Sequence, residues 1–284
     1  MEIVVAKNAG FCFGVEKAVE EVYAQTASRD AICTYGEIIH NEAVVSDLKE
    51  KGVRVIEDAA QLMQGAGTCV VIRSHGVAKS VYDALSEKGC RIVDATCPFV
   101  RRIHETVKDA TQRGETVIVF GSKDHPEVEG IVGWASGPVY VLSSAEEALS
   151  FEADTDTTIT VVSQTTMDAH KFKETVEILK KKGYNINIVN TICHATSVRQ
   201  EEAKRMAAEV DVMIVVGGAH SSNTRKLYEI CAEHCPRTYL IQSAGDLKDI
   251  LLDGAGRVGI TAGASTPKNI IEEVQSYVRN GSVV

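Results

Sequence analysis

Three cysteines stand at the same kind of turn. Cys12 lies in Ala9-Gly10-Phe11-Cys12-Phe13-Gly14-Val15, Cys97 in Asp94-Ala95-Thr96-Cys97-Pro98, and Cys193 in Asn190-Thr191-Ile192-Cys193-His194-Ala195-Thr196. Each follows a β-branched apolar run and precedes a helical pattern, such as Val15, Ala18, Val19 and Val22 after Cys12, so each thiol belongs to a strand-to-helix turn. A helix start favours the thiolate, and Gly10 and Gly14 let the backbone bend tightly around a bound group. Three thiolates are one short of a closed four-cysteine site. A metal held by three protein ligands keeps a position open for chemistry, and soft thiolates select zinc, copper(I) or an iron–sulfur cluster.

A second set of chemical groups repeats along the chain. Tyr35-Gly36-Glu37-Ile38-Ile39-His40, Phe120-Gly121-Ser122-Lys123-Asp124-His125 and Val216-Gly217-Gly218-Ala219-His220-Ser221-Ser222 each end an apolar run. Each places a polar residue four positions after a glycine: His40, His125 and Ser222. A further polar loop follows in every repeat, at Arg73-Ser74-His75-Gly76, Ser163-Gln164-Thr165-Thr166 and Gly263-Ala264-Ser265-Thr266. The rim so formed is rich in His, Ser, Thr and Asn, with Lys123 its only lysine, and suits a small anion.

These loops require particular elements behind them. Short apolar runs alternating with helical patterns of ten to fifteen residues mean parallel βαβ units. Short strands at Val53–Ile56, Val139–Leu142 and Thr238–Ile241 lead to helix-start signatures at Glu57-Asp58-Ala59, Ser144-Ala145-Glu146 and Ser243-Ala244-Gly245-Asp246. The third repeat ends without its last strand and cysteine, which residues 1–13 supply in a circular arrangement. The pattern therefore predicts an α/β protein of three small parallel-sheet domains around a pseudo-threefold axis, with boundaries 14–96, 97–192 and 193–284 plus 1–13. Ligands of parallel sheets gather beyond the carboxyl ends of the strands. Cys12, Cys97 and Cys193 should thus converge with His40, His75, His125, Thr165, Ser222 and Ser265.

Composition narrows the function classes. At 284 residues, 44% hydrophobic and 24% charged, the chain can bury a large core. A net charge of -9 argues against general nucleic-acid binding. No apolar run approaches the roughly 18 residues of a membrane span, and the N-terminus lacks a secretory pattern, which points to the cytoplasm. In that setting the eight cysteines are thiols or metal ligands rather than disulfides. Cys33, Cys69 and Cys90 lie in or beside apolar runs and read as core packing, and the Cys231–Cys235 pair with His234 lacks a second pair to complete a metal site. His104, His170 and His234 read as solvated or capping residues, Trp134 as core, and His194 and His220 border the site motifs.

The motifs together resemble the 4-hydroxy-3-methylbut-2-enyl diphosphate reductase family. The matching stretches are AGFCFGV (9–15), HNEAVV (40–45), SHGV (74–77), DATCP (94–98), HPEVEG (125–130), SQTT (163–166), NTICHATSVRQ (190–200), SSNT (221–224) and AGAST (262–266). They run in order along essentially the whole chain. The resemblance implies one 4Fe-4S cluster on Cys12, Cys97 and Cys193, with the fourth iron open to the substrate hydroxyl. It implies diphosphate contacts from His40, His75, His125, Ser221, Ser222, Asn223 and Ser265, proton delivery by Glu127 and a hydroxyl contact from Thr165. The implied reaction reductively removes that hydroxyl to give isopentenyl and dimethylallyl diphosphate, the last step of the non-mevalonate isoprenoid pathway, with reduced ferredoxin or flavodoxin as electron donor. His194 departs from the aromatic residue expected after the third cysteine. Two other classes compete. A quinolinate-synthase-like enzyme would share the three domains and three-cysteine cluster, but its motifs do not match. A non-catalytic iron–sulfur sensor or carrier has no use for a polar anion cage.

Overall fold

A computed structural model describes residues 1–28, 30–62, 67–154, 156–250 and 252–281. Among these residues the strands form three four-stranded sheets, and every pairing is parallel. The chain opens with β1 (Glu2–Val5) and α1 (Phe13–Gln25). The first repeat then runs β2 (Ala31–Tyr35), α2 (Glu42–Glu50), β3 (Arg54–Ile56), β4 (Thr68–Ile72), α3 (Lys79–Glu87) and β5 (Arg91–Asp94). The second runs α4 (Pro98–Gln112), β6 (Thr116–Phe120), α5 (Pro126–Val132), β7 (Val139–Leu142), α6 (Ala145–Ser150), β8 (Thr158–Ser163), α7 (Ala169–Lys181) and β9 (Asn185–Ile188). The third comprises α8 (His194–Ala207), β10 (Val212–Val216), α9 (Ser222–His234), β11 (Thr238–Ile241), β12 (Arg257–Ala262) and α10 (Lys268–Gly281).

The three sheets have one topology. Their orders are β3-β2-β4-β5, β7-β6-β8-β9 and, with β1 in the fourth place, β11-β10-β12-β1. The first strand does complete the last repeat: Glu2, Ile3, Val4 and Val5 lie opposite Arg257, Val258, Gly259 and Ile260. Central strands β4, β6 and β10 are buried along their whole length, which is why they read as continuous apolar runs rather than alternating ones. Outer strands such as β9 are largely exposed. The helix-start signatures also hold. Asp58 and Ser243 open short 3-10 turns at Ala59–Gln61 and Ala244–Asp249, and Ser144 caps α6 by accepting from Glu147 N–H at 3.3 Å.

The chain divides into two compact units. One contains Met1–Glu16, Ile39–Val44 and the described residues from His194 onward; the other contains Lys17–Ile38 and Val45–Cys193, with the first two sheets. In the first unit the core is Val212, Ile214, Val216, Val258, Ile260 and Ala262 packed on Ile271, Val274 and Val278 of α10. In the second, Ile118, Phe120, Ile159 and Val161 meet Phe172, Val176 and Leu179 of α7, while Ile103 and Val107 of α4 cover the other face. Among the described residues no helix is long and apolar enough to cross a membrane.

Candidate active site

The three cysteine turns are built alike. Asp94 Oδ1 accepts from Thr96 N–H at 3.0 Å and Asn190 Oδ1 from Ile192 N–H at 3.1 Å, so an Asx-turn bends the chain just before Cys97 and Cys193. Each cysteine N–H then donates to the second polar loop of its own sheet: Cys97 to Ser74 O (3.0 Å), Cys193 to Thr165 O (3.0 Å) and Cys12 to Ala264 O (3.4 Å). A helix follows at once, Pro98 taking the first position of α4, where a missing N–H costs nothing.

The first turn has an additional clamp. Arg199 on α8 is buried, its Nε donating to Asn8 O and one terminal nitrogen to Gly10 O, both at 2.8 Å. Glu202, one turn on, accepts from Lys7 N–H (2.8 Å), Asn8 N–H (3.0 Å) and Asn8 Nδ2 (2.8 Å). The sequence reading missed both residues. They belong to the helix that follows Cys193 in the chain, but no periodicity singles them out.

Chemistry separates these thiols from the rest. Cys12, Cys97 and Cys193 are half-buried and none is in a disulfide. Cys33 and Cys69 are buried as core residues, whereas Cys90, read the same way, is half-buried; Cys231 and Cys235 are buried too, and burial pushes the Cys69 thiol up and the Cys231 thiol to about 12. Only the turn cysteines combine access with a helix start. That donor set fits an iron–sulfur cofactor.

In the unit containing Lys17–Ile38 and Val45–Cys193, the acid and two histidines come together. His125 is the N-cap of α5, its Nδ1 accepting from Glu127 N–H at 3.1 Å. That bond assigns the ring proton to Nε2, so His125 donates to an anion through Nε2 without first being charged. His75 meets His125 edge to face with ring centres 5.5 Å apart. Glu127 is 2% exposed, and Thr165 N–H and Thr165 Oγ1 donate to its two carboxyl oxygens at 2.6 and 2.7 Å. Burial raises the Glu127 carboxyl to about 7 against the opposing pull of those bonds. Because Thr165 O takes the Cys193 N–H, one residue links the acid to a cysteine turn. Gln164 supports the loop, accepting from Ser122 N–H (3.0 Å) and donating to Thr166 Oγ1 (2.9 Å).

The other unit holds the remaining polar groups. Ser265 Oγ donates to His40 O at 3.2 Å and lies 3.4 Å from Ser221 Oγ. Ser221 caps α9 by accepting from Thr224 N–H, and half-buried Ser222 begins the helix. Gly217, rather than Gly218, matches Gly36 and Gly121: all three donate to the end of the neighbouring strand, at Ile241, Ile56 and Leu142. The third loop thus keeps the length of the other two, and Ser221 rather than Ser222 stands four positions after its glycine. Asn223 is 4% exposed, and neither atom of its amide has a hydrogen-bond partner. An unmatched buried amide costs roughly 1–3 kcal/mol per group, which a bound polar ligand would recover.

Other expectations sort cleanly. Lys123 is exposed and ion-paired with Glu147 at 3.0 Å. His170 and His234 are exposed, as are His194 and His220. His104 is the correction: it is 2% exposed rather than solvated.

Comparison with known proteins gives a consistent picture. The family described as LytB protein matches residues 3–279. The 4-hydroxy-3-methylbut-2-enyl diphosphate reductase of Caldanaerobacter subterraneus subsp. tengcongensis is 44% identical over 285 residues, covering 99% of this chain and 97% of that protein. Among solved structures, the E-1-hydroxy-2-methyl-but-2-enyl-4-diphosphate reductase of Plasmodium falciparum superposes with a TM-score of 0.91 at 26% identity, over 98% of this chain and 87% of the other. A second, described as (E)-4-hydroxy-3-methyl-but-2-enyl diphosphate reductase, the terminal enzyme of the non-mevalonate pathway, has a TM-score of 0.69 at 41% identity, over 99% and 100% of the two chains.

Proposed function

Because this chain belongs to the LytB family, we infer that it is an oxidoreductase removing the hydroxyl of 4-hydroxy-3-methylbut-2-enyl diphosphate to give isopentenyl and dimethylallyl diphosphate, the terminal step of the non-mevalonate pathway. The observation that carries the reading is the buried Glu127 carboxyl, held by both oxygens on Thr165 and tied through it to the Cys193 turn. When bound, a 4Fe-4S cluster on Cys12, Cys97 and Cys193 supplies electrons and, at an iron without a cysteine ligand, a Lewis acid for the hydroxyl oxygen.

The side chains do the rest. His40, His75, His125, Ser221, Ser222, Asn223 and Ser265 bind the diphosphate by hydrogen bonds, which gain strength from its charge. Orphaned Asn223 and the Nε2–H of His125 support this role. Glu127 delivers the proton, since a carboxyl near 7 is about half protonated at neutral pH and can still give its proton up. Thr165 orients that carboxyl and contacts the substrate hydroxyl. Reduced ferredoxin or flavodoxin is the electron donor in this reading, the compartment is the cytoplasm, and the domains are 14–96, 97–192 and 193–284 plus 1–13, supported by one sheet in each.

The test is anaerobic turnover of the allylic hydroxy-diphosphate with a chemical reductant, with iron and sulfide counted in the same sample. Formation of the two isomeric diphosphates is expected. A protein with a full cluster that leaves this substrate unconverted would overturn the reading.

A further inference from the structure

Helix α4 starts beside Cys97 and carries His104 two turns further on. The His104 ring is buried, and its Nε2 has no hydrogen-bond partner. Burial holds its pKa down to about 4, with Asp94 pulling it up and Arg101 down, so the ring is neutral at physiological pH. The neighbours of the ring show what its flat shape is fitted to. A Cβ at Gly76 would come within 2.5 Å of the ring Cε1, and one at Gly130 within 3.5 Å of Nε2. Two glycines therefore bring the His75–Gly76 turn and the body of α5 against the imidazole.

Trp134 backs the ring, stacked at 5.4 Å with an interplanar angle of 18°. Its indole N–H donates to Val77 O at 2.9 Å, and Lys79 N–H donates to Gly133 O at 3.3 Å. At Gly133 a Cβ would strike Ala78 at 2.2 Å, so the end of α5 also lies directly on that turn. One side chain thus stands on the helix that follows Cys97, touches the turn that carries His75, and touches the helix that carries Glu127.

We propose that His104 is a positioning residue for the reductive reaction: its ring backs the contact between the His75 turn and α5 from the side of α4, and so keeps Glu127 seated on Thr165. The proposal rests on the function inferred above. Loss of the ring leaves a void behind that contact, loosens α5 and admits water to Glu127, which returns the carboxyl toward its ordinary range.

The experiment follows the Glu127 carboxyl by 13C NMR of glutamate-labelled, oxidised protein, with Glu127→Gln identifying the resonance and iron counted in each sample. Wild type and His104→Phe, which keeps a flat ring, should titrate together. His104→Ala should titrate lower by about 1 pH unit or more and lose on the order of 100-fold in turnover. Val107→Ala, in the same helix and equally buried, should lower the melting temperature without moving the titration. An unchanged Glu127 titration in His104→Ala overturns the proposal, as does an equal shift in Val107→Ala. If His104→Ala does not fold, His104→Leu, which keeps volume but not flatness, is read in its place by the same criterion. The readout needs no substrate, so a wild type unable to reduce the allylic diphosphate would refute the proposed function while the titration still decides on His104.

Discussion

Glu127 and His125 carry opposite kinds of information at the residue scale. A carboxyl held near 7 by burial binds a proton in the folded state that the unfolded chain has released. Its contribution to stability is therefore full below the ordinary glutamate range and is lost as pH rises through about 7. Glu127→Gln removes that loss, and chemical denaturation should find the variant more stable than wild type at pH 8 by up to about 3 kcal/mol. The same variant, fully loaded with cluster, should turn over on the order of 100- to 10,000-fold more slowly; near-normal turnover would remove Glu127 from the mechanism. Wild-type turnover should fall as pH rises through about 7, because the acid form is the one consumed. For His125 the two nitrogens can be tested apart. Asn replaces the Nδ1 acceptor by an oxygen that can cap α5, whereas Phe has no acceptor, at a cost of about 0.5–2 kcal/mol, yet both forfeit the Nε2–H and should weaken diphosphate binding roughly ten- to a hundred-fold. Equal stability of the two variants in thermal melts would show that the cap is unimportant.

Among the elements, the turns before α1, α4 and α8 share one backbone contact, the cysteine N–H donating to the second polar loop of its sheet, and two of them were displayed by an Asx residue three positions before the cysteine, which has a backbone reason to be there. What holds each turn from behind was not legible. Arg199 and Glu202 act on backbone carbonyls and amides almost two hundred residues away in the chain, and such partners leave no pattern of their own. His104 was misread for a related reason: in a single sequence a polar residue on a helix looks solvated, and only Gly76, Gly130 and Trp134 reveal the pocket that receives it. Arg199→Lys replaces the planar two-nitrogen fork by a single ammonium, so it should loosen the Asn8–Gly10 turn and lower the iron content of anaerobically purified protein. Cys193→Ser should abolish a stable cluster, while Cys33→Ser, in a fully buried strand position, should not. Iron counts and the visible absorbance of the cluster decide both, and a normal cluster in Cys193→Ser would end the ligand assignment.

The repeat order of the whole molecule was readable because parallel units announce themselves through alternation of strand and helix. The register of the Gly217 loop escaped, since either of two adjacent glycines can be aligned with Gly36 and Gly121 and only the bond to Ile241 distinguishes them. The grouping of Ile39–Val44 with the unit of β1 and β12 has no local pattern behind it either, since its contacts, such as the bond from Ser265 to His40 O, are far off in sequence. The place of β1 beside β12 has a consequence for biosynthesis. β1 has its register partner in Arg257–Ile260, so it leaves the ribosome 255 residues (257 minus 2) ahead of that partner and waits through the synthesis of the intervening chain before it can be paired. Until then an apolar strand with open edges is at risk of pairing with other chains. A circular permutant that moves residues 1–13 behind the last helix would deliver β12 and β1 in succession, and should release folded protein from a translation reaction sooner and with less aggregate than the natural order.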